Sequence, residues 1–191
     1  MAEPRHAGRG ARRHALNGPA AAGRAVGLLA VLWLLWVVLA RGLTLSQGGT
    51  SVFLHGIDLI FHEAGHVIFG FFGDFIAALG GSLNQVLIPA VCAGYFLAHH
   101  QLASAAIPLA WMGESVTDVA VYVADGRARA LPLLAEGLTH DWNYLLGRVG
   151  LLDWAEMLGR LTYASGVLLI LTAAALLAWD LARLTGFRGR T

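Results

Sequence analysis

The chain has no lysine, a single cysteine and few charges of either sign. Only 13% of its 191 residues are charged, against about a quarter in an ordinary soluble domain, and that scarcity points to lipid as the solvent. The 13 basic residues, all arginine, nearly balance the 12 acidic ones, and a net charge of +1 gives no reason to expect a nucleic-acid partner or an acidic substrate. With Cys92 alone there can be no internal disulfide; its place in an apolar run marks it as a small packing residue. No repeat of about 20 to 50 residues recurs, which excludes a solenoid or propeller.

Apolar sequence is what the chain has in quantity, at 57% of its residues. Residues 1–24 are rich in Arg, Gly, Ala and Pro without apolar periodicity, and are expected to form a disordered cytoplasmic tail. Ala25 to Ala40 is uncharged and bracketed by Arg24 and Arg41. It is slightly short of the ~20 residues that cross hydrocarbon, but flanking arginines can snorkel. A basic start and an apolar run also describe a signal peptide; the further apolar segments favour an uncleaved anchor.

Those segments are 51–73, 75–98, 101–124 and 161–179, while 126–160 mixes charges with apolar stretches and reads as interfacial or partly re-entrant. The expectation is an all-α, polytopic integral membrane bundle of about 4–6 transmembrane helices over residues 25–183, with a short polar tail at 184–191. Arginine placement puts the N-terminus in the cytoplasm, yet five alternating spans would carry Arg183, Arg188 and Arg190 to the opposite face, so the number of spans stays open by one.

The segment 51–73, SVFLHGIDLIFHEAGHVIFGFFG, contains His62-Glu63-Ala64-Gly65-His66. Residues four apart share a helix face, so the two imidazoles converge on one cation, and Glu63 is placed to reach a water that the cation holds. Neutral imidazole nitrogens ligate Zn²⁺, the metal lowers the pKa of its water to about 7, and a carboxylate removes the proton. With 8 His in 191 residues, about 0.01 such matches are expected by chance. Ionisable groups inside a membrane helix also cost about 2.5–3.5 kcal/mol each on insertion scales, which makes them functional suspects.

His55, Asp58, His62 and His66 fall within an arc of about 80° on a helix. Asp58, with His55 beside it, could orient the ligand His62 by accepting its second ring N–H, or the two could merely sit near an interface. Gly65, Gly70 and Gly73 suit close helix packing. A third ligand must come from elsewhere, because catalytic zinc usually has three protein ligands and one open position. The candidates are His140, Asp141 and Asp125, although Asp141 would also suit the N-cap of a helix starting at Trp142. Glu114, Asp118, Tyr122 and Asp125 make an acidic helix face: a proton or ion path, a face toward the site, or a surface. The pair His99–His100 reads as an interface marker.

FHEAGH in a membrane helix, followed by the polar, glycine-containing GGSLNQ at 80–85, resembles the site-2 protease family of intramembrane zinc metallopeptidases. The resemblance covers about residues 62–85. It implies membrane helices around one buried zinc per chain and hydrolysis of a peptide bond in a membrane or membrane-adjacent protein substrate. His62 and His66 would be ligands and Glu63 the general base. That family supplies its third ligand as an Asp in an Asp-Gly motif of a later helix; Asp125-Gly126 matches the dipeptide, and His140-Asp141-Trp142 does not. A polar residue after the zinc helix would hold substrate or the oxyanion, a role that falls to Asn84, unless Asn84 satisfies backbone groups. The competing expectations are a transporter or metal- and proton-handling protein using the same His, Asp and Glu residues, and an inactive membrane scaffold.

Overall fold

The computed structural model describes residues 7–45, 49–132 and 139–186; Arg5, Arg188 and Arg190 lie outside these. The described residues are helical, with no strand among them. The helices are α1 (Ala7–Arg41), α2 (Gly49–Phe69), α3 (Asp74–Ala98), α4 (Leu102–Asp125), α5 (Asp141–Arg148) and α6 (Ala155–Gly186), with 3-10 turns at Gly70–Phe72 and Leu152–Trp154. Four stretches, Gly18–Arg41, Gly49–Phe72, Asp74–Ala98 and Leu152–Thr185, are long and apolar enough to cross a membrane. The protein is therefore an α-helical bundle with the character of an integral membrane protein.

The scaffold is α1, α4 and α6. Their shared core joins Val31 and Val38 of α1, Ala106 and Ala110 of α4, and Ile170, Ala173 and Leu177 of α6. Small residues let α4 and α6 approach closely, as expected where lipid offers no hydrophobic drive for association. A Cβ on Gly113 would lie 2.7 Å from the Gly166 carbonyl oxygen. Phe53, Ile60 and Val67 of α2 and Val91 of α3 are left on the outer surface, where lipid would meet them.

Several expectations need correction. The helix of α1 starts at Ala7, well before the apolar segment that opens at Ala25; Ala and Arg are good helix formers. Arg41 does not snorkel: its side chain is 4% exposed, with one Nη donating to Thr117 Oγ1 at 2.8 Å and the other 3.5 Å from Asp118. The acidic face of α4 is not a surface, for Glu114 and Asp118 are buried. Cys92 is exposed rather than packed. Of the three glycines, only Gly65 makes a close contact, against Gly80 of α3; Gly70 faces open space and Gly73 takes φ +92° to start α3.

The final helix is much longer than 161–179 and carries Asp180 inside it, ion-paired to Arg24. At the other end of the pair, the Tyr163 hydroxyl donates to the Val38 carbonyl at 2.8 Å. The two helices therefore run antiparallel, and Arg24 and Arg183 lie at the same end of the bundle. Five strictly alternating spans would have separated them.

Gly113→Val is expected to lower the thermal midpoint of the detergent-purified protein through overpacking that costs about 1–3 kcal/mol. Gly70→Ala, which meets nothing within 4 Å, should leave it unchanged in the same fluorescence melt.

Candidate metal centre

The helix α2 lies against α3 along a face opened by glycine. Gly65 sits on the Gly80 carbonyl, and a Cβ on Gly81 would fall 2.6 Å from His62 Nε2. Only the absence of a side chain at 81 leaves room for the His62 ring. Asn84 Nδ2 then donates to the Phe61 carbonyl at 2.7 Å and fixes the register of the two helices.

This packing orients both imidazoles. His62 Nδ1 is 2.8 Å from Gln85 Oε1, and His66 Nδ1 is 2.8 Å from the Ala77 carbonyl oxygen. Each Nδ1 faces an oxygen that only accepts, so in each neutral ring the proton sits on Nδ1 and the Nε2 lone pair is free. The two Nε2 atoms face one point. His62, Glu63 and His66 each bring one potential ligand atom to within 4.8 Å of the others'.

Asp141, the first residue of α5, faces the same point. Its Oδ2 is 3.1 Å from His62 Nε2 and 3.3 Å from His66 Nε2. Donors bound at about 2.0–2.1 Å to one tetrahedral cation are separated by roughly 3.3 Å, so Asp141 Oδ2 lies at ligand spacing from each of the two imidazole nitrogens. With Nδ1 of both rings donating elsewhere, neutral histidines have no hydrogen to give Asp141. The contact needs either two extra protons or a cation between the three groups. Burial raises the Asp141 carboxyl, but in the metal-free state the hydrogen bonds and charge of Nε2-protonated His62 and His66 outweigh it and hold the group below the usual carboxylate range. It stays ionised, the form that ligates.

The other two third-ligand candidates are committed to each other. His140 Nε2 is 3.1 Å from Asp125 Oδ2, and His140 Nδ1 accepts the Asn143 backbone N–H at 3.2 Å. The N-cap of α5 is thus His140, not Asp141, which leaves the Asp141 carboxylate to point at the histidines. Asp125 also accepts the backbone N–H groups of Ala130 and Leu131. Two further bonds hold α5 in place: Asn143 Nδ2 to the Gly126 carbonyl at 2.7 Å, and Trp142 Nε1 to Ser82 Oγ at 3.0 Å.

Neither Asp58 nor His55 orients His62. Asp58 Oδ1 accepts from Trp111 Nε1 at 2.9 Å and Ser115 Oγ at 2.8 Å. His55 Nδ1 pairs with Asp118 at 3.0 Å. Asn84 is buried on the α2 backbone and does not line the cavity, so the structure gives it no substrate or oxyanion contact. The orienting residue that the sequence reading missed is Gln85, next to Asn84. Its signal was a long neutral side chain able to hydrogen-bond inside an apolar helix.

The site opens into a cavity of about 570 Å³. His62, Glu63, His66 and Asp141 line one part, His55 and Asp118 another, with apolar wall from residues such as Val119 and Trp142. His99 and His100 follow the end of α3 and are exposed, away from this centre.

Comparison with known proteins finds no matching family model, no similar curated protein and no similar solved structure.

Gln85→Ala and His140→Ala remove none of the converging donor atoms, yet if the centre holds zinc each should weaken its binding by about 10–100-fold. Competition against a chelating dye measures this; Asn84 and the ligands themselves stay intact in both variants.

Proposed function

We propose that this chain is a multi-pass membrane zinc metallopeptidase, with its N-terminus in the cytoplasm, that hydrolyses a peptide bond in a membrane or membrane-adjacent protein. The observation that carries the reading is Asp141 Oδ2 lying 3.1 and 3.3 Å from the free Nε2 atoms of His62 and His66. Two imidazoles, one carboxylate and an open fourth position make the donor set of a catalytic zinc. The resemblance of FHEAGH and GGSLNQ to site-2 proteases supports the same reading, with Asp141 in place of the Asp of an Asp-Gly motif.

A zinc ion bound there supplies Lewis acidity and brings the pKa of a water to about 7. The protein's own part is positioning and proton transfer. Gln85 and the Ala77 carbonyl fix the two rings, and Asp141 completes the anionic side of the site. Glu63, exposed to the cavity beside His62, takes a proton from the attacking water and returns it to the leaving amine, so that the carboxyl and amine products form without net proton loss. The apolar walls formed by Val119 and Trp142 suit an apolar peptide segment.

Metal analysis of the purified protein should give one zinc per chain in the wild type and in Glu63→Gln, and none in His62→Ala or His66→Ala. Glu63→Gln should lower cleavage by about 10²–10⁴-fold, read as accumulation of uncleaved membrane protein in quantitative membrane proteomics. Zinc absent from the wild type would remove the proposal. Ion flux into proteoliposomes that survives Glu63→Gln would make the protein a transporter instead.

A further inference from the structure

Away from the metal centre, three carboxyl groups are buried around one guanidinium. Asp58 is 0%, Glu114 1% and Asp118 3% exposed, and Arg41 reaches Asp118 from α1. Arg41 gives one Nη to Thr117 and brings the other to Asp118, while its buried Nε–H meets no acceptor among the described residues. Asp118 also binds His55, at the cavity wall. The cation is thus matched to Asp118, and Asp58 and Glu114 have none of their own.

These two carboxyl groups have unequal surroundings. Asp58 Oδ1 accepts two neutral donors, Trp111 Nε1–H and Ser115 Oγ–H. Among the described residues, no donor reaches Asp58 Oδ2 or Glu114 Oε2, although both atoms are fully buried. Asp58 is held against α4 at Trp111 and Ser115, on either side of Glu114 in the sequence, which brings the two carboxyl side chains within hydrogen-bonding reach of one another. Two carboxylates in contact repel and cannot bond, because each only accepts. One proton removes both difficulties: it supplies the missing donor and cancels a charge that the apolar interior would not tolerate unpaired.

The donor inventory says which group carries it. Ionised Asp58 keeps its bonds to Trp111 and Ser115 and gains a third donor. Ionised Glu114 would face a protonated Asp58 with less support around it. We propose that Glu114 is a neutral carboxylic acid at pH 7 that donates its O–H to the Asp58 carboxylate, a proton-binding pair that fastens α2 to α4 one helical turn before His62. The charged and titratable groups around it are Arg41 from α1, His55 from α2 and Asp118 from α4. Gln85 of α3 adds only a neutral contact, its Nε2 to the Ser115 carbonyl at 3.4 Å, and α6 contributes the neutral Tyr163, whose hydroxyl is used on Val38.

The pair needs neither metal nor substrate, so its test is independent of the peptidase reading. Infrared spectroscopy of the full-length protein in D₂O at pH 7 should show the carbonyl stretch of a neutral carboxylic acid. Glu114→Gln should abolish that band while keeping the thermal midpoint, because the carboxamide N–H replaces the acid O–H; Glu114→Ala should lower the midpoint. Asp58→Asn should keep the band and shift it, since the acceptor loses its charge. No neutral-acid band in the wild type overturns the proposal. So does a band that persists in Glu114→Gln, or one lost in Asp58→Asn and kept in Glu114→Gln, which would put the proton on Asp58. A sodium-dependent rise of the wild-type midpoint that Glu114→Gln removes would also overturn it, by placing a cation between the carboxyls.

Discussion

Ionisable groups inside an apolar bundle must find partners, and in this protein the pairings decide how the helices lie. Arg41 and Asp118 join α1 to α4, and His55 brings α2 to the same carboxylate. Asp58 joins α2 to α4 through Trp111 and Ser115. Each group would cost about 2.5–3.5 kcal/mol if left alone at membrane depth, so a shift of one helix that broke such a pair would strand its partner as well. The polar contacts therefore act as a register for helices whose apolar surfaces could slide with little change in energy.

The molecule divides its labour between two groups of helices. Small residues pack α4 and α6 closely, and α1 closes their core; these three make a scaffold. Of the proposed metal ligands, α2 carries two and α5 the third, while α3 sets the rings of the first two. A helix of eight residues has little stability of its own, and α5 holds its place through tertiary contacts: His140 on Asp125, Asn143 on the Gly126 carbonyl and Trp142 on Ser82. The position of Asp141 thus depends on the end of α4 and on α3, far from it in sequence.

The parts legible in the sequence were those whose signal is local. The apolar runs gave the helices, and the i, i+4 spacing of His62 and His66 gave a shared face. The errors came where neighbours in sequence point in different directions. Asn84 and Gln85 are about 100° apart on a helix, and the packing of α3 turns Gln85 to His62 and Asn84 to the Phe61 carbonyl. Asp58 has the correct spacing to sit beneath His62, but α4 offers it Trp111 and Ser115. His140 and Asp141 were alternatives as the ligand, with the cap given to Asp141, but the side chain of His140 takes both Asn143 and Asp125.

By itself, the sequence determined that the chain forms apolar helices and that two histidines and a glutamate meet on one of them, because helical periodicity acts over four residues and needs no distant partner. Only the tertiary structure decided which carboxylate faces those histidines, which amide orients them and where Arg41 goes. Each of those choices depends on the meeting of helices separated by tens of residues, where a rotation of 100° exchanges one side chain for the next.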